Sequence, residues 1–480
     1  MSIRISLIYS YLDRYASLVI SIASSMLIAR LLTPEDIGVF SVTMVLLAWI
    51  ATVRDMGAGG YLVQEKDLTV ERIRAVWAVQ LGLGLFLAFL VLGASFPVAS
   101  FYDEPRMRDI MLVVALSYAI NPFGSLTYAW QIREMRFRNL AIIRFTSTLL
   151  GAIVSVYLAW KGHGPISLAF GALTSTVANA LMAIYVRPKW FPWLPGLKEI
   201  RRVLGFGSRT TAAAIFNTIA GSAPELLLGK LQGMAATGMY SRANGLVSMF
   251  GQLVMQGISS VAISWFAKES REQGDISQPF LKATAYVTAL GWAFAGGIIF
   301  LAHPVMRILY GEQWDGAVDL ARLMAIALAV GLPAAMCGAA LMALGAAAQF
   351  LRVTVISTLA TLIMLLIAAQ IGLLAVGCGR IIVAVFGLFL WLHISQKVIN
   401  FNWSELRGLL YKSAAVGIAS GIGPALAFIL YGPQPENIWL PMAIGVPGSG
   451  IGFLAAIIIV KHPLNDELQS VLAKLRGNKL

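Results

Sequence analysis

Along the 480 residues of the chain, apolar runs of about twenty residues alternate with short polar or turn-rich breaks from one end to the other. At 1.5 Å rise per residue, such a run is long enough as a helix to cross a hydrocarbon core of roughly 30 Å. The runs predict spans over 10–31, 37–57, 75–98, 109–129, 140–160 and 165–186, then 208–231, 237–265, 281–304, 319–344, 350–369 and 375–396, and a last pair over 408–431 and 437–460. The pattern therefore predicts an all-α integral membrane protein of about 14 transmembrane helices. The first run has no small-residue cleavage site behind it, so it is expected to be a retained span.

Composition sharpens this reading. Hydrophobic residues make up 58% of the chain and charged residues 12%, a balance that a soluble domain cannot cover with polar surface. No long polar stretch interrupts the spans, which excludes a sizeable cytosolic catalytic module. A formal charge of +13 would suggest nucleic acid in a soluble protein. In a membrane protein it reflects Lys and Arg gathered in cytoplasmic loops against anionic headgroups, so nucleic-acid binding is not expected. With both termini cytoplasmic, most of the 36 basic residues fall inside. The richest segments are 131–145 and the stretch from Arg187 to Arg209, whose Pro188, Pro192 and Pro195 predict a linker. Within it, LKEIRRVLGF has the pattern of a helix lying on the membrane surface. Cys337 and Cys378 lie in apolar runs, and the four histidines are scattered; neither disulfide, metal nor cofactor is implied.

A short repeat divides the chain. ARLLTPEDIGVFS at 29–41 matches GKLQGMAATGMYS at 229–241 without a gap, aligning Arg30 with Lys230, Gly38 with Gly238 and Ser41 with Ser241. Six predicted spans separate the copies, so both halves start in the same orientation, the arrangement of parallel repeats in transporters. The expected organisation is a first six-helix bundle and linker over 1–200, a second over 201–400, and two extra helices with a tail over 401–480.

Ionisable residues inside spans cost roughly 2.5 to 3.5 kcal/mol each on insertion scales and are default site candidates. Arg14 lies in the first span, and Arg54, Arg144 and Arg209 near cytoplasmic ends of later ones. Toward the other face lie Arg242, Arg322 and Arg380. Each either snorkels to the interface or joins an inner or outer cluster suited to a pyrophosphate, which Arg binds bidentately. Asp319 precedes Arg322 by three residues, a spacing that pairs them on one helix face. Glu225, behind Pro224, is either a coupling-ion site or a partner of nearby Lys230; Asp319 is a second coupling candidate.

ARLLTPEDIGVFS, DMGAGGYLVQEKD at 55–67, REMRFR at 133–138 and LLLGKLQGMAATGMYSRA at 226–243 resemble the polysaccharide transporter branch, the Wzx-type flippases, of the multidrug/oligosaccharidyl-lipid/polysaccharide exporter superfamily. The resemblance covers nearly the whole chain. It implies two six-helix bundles in a V around a central cavity with two helices appended, in a bacterial inner membrane. It also implies a substrate, an undecaprenyl-pyrophosphate-linked oligosaccharide flipped to the periplasmic face, membrane lipids around it, and a polysaccharide polymerase with other assembly proteins as partners. Cavity arginines occur in the first, second and eighth helices of glycan-lipid flippases; by helix, Arg14, Arg54 and Arg242 are similar in placement. No covalent step is required, so no catalytic residue is expected. A multidrug exporter of the same superfamily would carry twelve spans and acidic cavity residues; a glycan polymerase would carry a large periplasmic loop. A non-transporting scaffold of an assembly complex is the remaining alternative.

Overall fold

The computed structural model describes residues 3–55, 58–272 and 274–475, and the side chains within these ranges except at 3–14, 52–55, 206–221, 260 and 471–475. The chain runs through α1 (Ile3–Leu31), α2 (Pro34–Asp55), α3 (Ala58–Gln64), α4 (Val70–Tyr102), α5 (Arg106–Arg133), α6 (Phe137–Trp160), α7 (Ile166–Tyr185) and α8 (Ile200–Leu231). It continues through α9 (Met234–Phe250), a π-helical turn, α10 (Gln256–Glu272), α11 (Ser277–Leu309), α12 (Val318–Gly331), α13 (Cys337–Ala343), α14 (Ala347–Ile371) and α15 (Leu373–Ile399). The last elements are α16 (Trp403–Tyr431), α17 (Trp439–Ile459) and α18 (Leu464–Leu475). No strand occurs among the described residues. Each predicted span falls on a helix or, for 237–265 and 319–344, on a helix interrupted by π or 3-10 turns. Among the described residues, twelve helices are long and apolar enough to cross a membrane, and α1 adds a shorter apolar stretch, Tyr15–Leu31. The amphipathic segment expected on the membrane surface is not a separate element. From Ile200 onward it forms the first turns of α8, whose 32 residues reach roughly 48 Å.

By internal packing the chain forms two compact units, Met1–Gly238 and Met239–Leu480. Contacts draw the line beyond residue 200 because α8 packs on α2, α3 and α4 of the first unit. In the second unit α16 and α17 pack on each other and on α11. Leu47, Met107 and Tyr118 anchor the core of the first unit; Phe250, Phe266, Phe280 and Phe401 anchor that of the second.

Polar chemistry sets where helices begin. At the start of α2, Asp36 N–H donates to Thr33 Oγ1 at 3.1 Å while Thr33 N–H and Oγ1 reach Asp36 Oδ2 at 3.2 and 2.9 Å, a reciprocal cap that satisfies the first free donors of the helix. Arg106 then ties this turn to the next loop, pairing with Glu35, with Asp36 at 3.0 Å and with Glu104 at 2.7 Å. Its hydrogen bonds hold the Glu104 carboxyl below the usual carboxylate range.

The repeat read from the sequence has a structural counterpart inside the first unit. α2 starts at Pro34 and α9 at Met234, the same 200-residue offset. A Cβ on Gly38 would stand 1.8 Å from the Met234 carbonyl oxygen, and one on Gly238 would stand 1.8 Å from that of Pro34. The two copies therefore meet backbone to backbone in reciprocal fashion, and only glycine permits that approach.

Candidate substrate cavity

The motifs at 55–67 and 133–138 build one end of the first unit. α3 is a single short helix whose last carbonyls lack intrahelical partners. Arg133, from the end of α5, donates to the carbonyls of Leu62, Glu65 and Val63 at 2.8, 2.6 and 3.4 Å. Glu65 follows α3 and is bridged by Arg72 at 3.2 Å and Arg202 at 3.5 Å; the Tyr61 hydroxyl first, and these two cations, hold its carboxyl below its ordinary range. The predicted linker closes over the same end. Trp77 Nε1 donates to Trp193 O at 3.1 Å, Arg74 Nε to Leu194 O at 3.2 Å, and Gly196 N–H returns to Arg74 O at 3.1 Å. Arg187 is buried there, its guanidinium 3.9 Å from the centre of the Trp193 ring and its Nη2 donating to Pro192 O at 2.6 Å.

Inside this end lies a cavity of about 730 Å3, within the range of small-ligand sites. α3 supplies Gly59, Gly60, Val63 and Gln64; α4 supplies Gln80; α5 supplies Asn121, Pro122, Ser125, Tyr128, Ala129 and Ile132; α7 supplies Ser175, Thr176 and Asn179. Pro122 breaks the hydrogen-bond ladder of α5, and Ser125 Oγ donates to its carbonyl at 3.2 Å. Gly124 lets α5 approach α7 so closely that a Cβ there would lie 2.9 Å from Asn179 Oδ1. No Asp, Glu, Lys, Arg or His is among the lining residues. Gln80 is buried at 8% exposure, and its Oε1 has no hydrogen-bond partner.

Of the candidates read from the sequence, Arg144 touches this site: its Nη2 donates to the hydroxyl of Tyr128. Arg14, Arg54 and Arg209 lie outside the residues whose side chains the structure describes. In the second unit, the Arg242 guanidinium sits 5.3 Å from the Tyr310 ring and 5.6 Å from that of Trp314. Arg380 approaches Tyr240 Oη at 3.5 Å, two residues before Arg242 on α9. Arg322 pairs with Asp319 at 2.8 Å, as their spacing predicts, and donates to Pro433 O at 3.0 Å. Glu225 is half-buried in α8. Lys230 turns to the Phe101 carbonyl and to Asp103 at 3.4 Å. Among the described residues no cluster of His, Cys, Asp and Glu is fit to hold a metal.

The sequence reading missed Gln80, Asn121 and Asn179 because it followed charge. A signal was present: Asn121, Ser125, Tyr128 and Ile132 recur on one face of α5, and Ser175 and Asn179 on one face of α7.

A multi-span helical bundle with a polar, uncharged cavity between helices of its first unit defines the class, a membrane transporter fold. Residues 27–319 match the family described as polysaccharide biosynthesis protein. The chain belongs to that family. It is 23% identical over 98% of its length, and 95% of the other's, to the succinoglycan biosynthesis transport protein ExoT of Rhizobium meliloti (strain 1021). It is 20% identical to the lipopolysaccharide biosynthesis protein WzxC of Escherichia coli (strain K12), covering 94% of this chain and 93% of that one. Its fold is similar to that of the lipid II flippase MurJ in an inward closed conformation, with a TM-score of 0.68, 12% identity, and coverage of 95% of this chain and 99% of that one. The Wzx-type resemblance in the sequence is thereby borne out.

Proposed function

We propose that the protein carries undecaprenyl-pyrophosphate-linked oligosaccharide repeat units from the cytoplasmic to the periplasmic face of a bacterial inner membrane, for surface polysaccharide biosynthesis. The observation that carries this reading is the polar cavity of the first unit, set among helices fit to span a membrane. Moving a pyrophosphate and several sugars through hydrocarbon unaided would strip many polar groups of water. A polar path removes that barrier while the lipid tail stays in the bilayer. Family membership and the names of the relatives point the same way.

In this reading two bundles, 1–200 and 201–400, alternate access, with 401–480 appended and both termini cytoplasmic. Arg14, Arg54, Arg144 and Arg209 receive the pyrophosphate on the inner side, and Arg242, Arg322 and Arg380 on the outer side. Glu225 and Asp319 are the sites for a coupling ion in this reading, Asp319 being paired with Arg322. The product passes to a polysaccharide polymerase and its assembly proteins.

The test is translocation in reconstituted vesicles, reading whether a fluorescent lipid-linked oligosaccharide becomes accessible to an external lectin. Transfer above empty vesicles is expected, with Arg14→Ala and Arg144→Ala each slowing it about tenfold, the equivalent of one charge-assisted hydrogen bond. No transfer with a matched substrate and an imposed gradient would overturn the proposal in favour of a scaffold.

A further inference from the structure

We propose that the cavity of the first unit reads the glycan itself. It binds neutral sugar rings through side-chain amides and hydroxyls, while the pyrophosphate is left to cations outside it. The assignment rests on the transport reading above and adds which chemical part of the substrate this site takes.

Three observations carry it. The lining combines the amides of Gln64, Gln80, Asn121 and Asn179 with hydroxyls of Ser125 and Tyr128. Amides and hydroxyls each offer both a donor and an acceptor, which is what a sugar hydroxyl requires of its partner. The lining holds no carboxylate and no cation, so it offers a phosphate no countercharge, and an organic cation no anion. Arg144 is not among the lining residues and donates to the hydroxyl of Tyr128.

Gln80 is the third observation. Its side chain is more than nine-tenths buried and its Oε1 is unpartnered, although a leucine at that place would fit a helix as apolar as α4. A buried acceptor without a donor is destabilising. A sugar hydroxyl supplies the missing donor. Sites that hydrogen-bond a substrate hydroxyl discriminate strongly against analogues that lack it, because the protein group is then left unpaired. The cavity is thus placed to select among repeat units by the pattern of their hydroxyls.

The experiment uses the full-length protein in nanodiscs. The probes are the neutral oligosaccharide released by mild acid from the lipid carrier of the host cell and, separately, inorganic pyrophosphate. Wild type is expected to bind the free oligosaccharide. Gln80→Leu and Asn179→Leu are each expected to weaken that binding about tenfold, the effect of one lost hydrogen bond, and to leave pyrophosphate binding unchanged. Gln80→Leu should melt no lower than wild type, since it deletes a buried amide oxygen that has no donor; a merely structural role for Gln80 would lower the melting temperature instead. Oligosaccharide affinity equal in wild type and both variants, or absent in wild type, would overturn the assignment. The vesicle assay separates the two claims. If wild type and both variants move lipid-linked oligosaccharide equally well, the glycan-reading site falls and the transport reading stands; if wild type moves none, the transport reading itself falls.

Discussion

Each unit contains a cavity, and the two are built from opposite materials. That of the first unit is lined by four amides and several hydroxyls. That of the second, about 470 Å3 between α11, α12 and α16, is lined by Trp292, Ile299, Phe300, Ile418, Ile422 and alanines and glycines, with no ionisable or amide side chain. An apolar hollow among membrane helices is filled by hydrocarbon at little loss. A polar one leaves hydrogen-bonding groups that only water or a polar ligand satisfies. Polarity inside a bundle, rather than volume, is therefore what separates the two cavities.

The sharpest way to break this comparison is to put the same charge in both places. Ala425→Asp, in the apolar cavity, is expected to lose about 3 kcal/mol, the insertion penalty of a carboxylate at depth. Ser125→Asp, in the polar one, is expected to lose well under half of that. Thermal melting of the two purified variants decides it, and equal losses would erase the distinction.

Next in size is a pH effect that separates the units. His462, at the corner between α17 and α18, accepts from Leu464 N–H at Nδ1 over 3.2 Å and so presents Nε2–H to Ser413 Oγ at 3.1 Å. Burial first, and Lys412 second, push its pKa down to about 4. A histidine that is neutral when folded stabilises fully above its ordinary pKa of about 6.5, and that contribution is lost as pH falls from there toward 4, up to about 3 kcal/mol. Glu65 in the first unit is depressed as a carboxylate, so its contribution persists until pH falls below the ordinary carboxylate range. Between about pH 6.5 and 4.5 hydrogen exchange should accelerate around α16 to α18 and not around α3, and His462→Gln should flatten that response.

The smallest effect is a gain. A Cβ on Gly421, in the apolar cavity, would meet only Phe300 at 3.9 Å. Gly421→Ala should therefore raise stability by about 0.5–1 kcal/mol through helix propensity alone, read as a small rise in melting temperature.

The sequence disclosed the long helices because twenty apolar residues in a row leave few alternatives. It did not disclose α3, whose seven residues AGGYLVQ carry two glycines and too few turns for a periodic pattern; Arg133, distant in sequence, completes it. The packing of Arg187 on Trp193 in the linker was equally hidden, since both read as part of an ordinary basic, proline-rich loop. Charge counting drew attention to Arg144, which meets Tyr128, and to the spacing that pairs Asp319 with Arg322. It passed over Gln80, because an amide inside a span carries a smaller penalty than a charge and raises no alarm when read singly.

The reciprocal contact of Gly38 with Met234 and Gly238 with Pro34 has a symmetrical consequence. A Cβ on either glycine would stand 1.8 Å from a carbonyl oxygen of the other copy, and a carbonyl has no rotamer by which to turn aside. The same added methyl group, from either side, would force the same two helix starts apart.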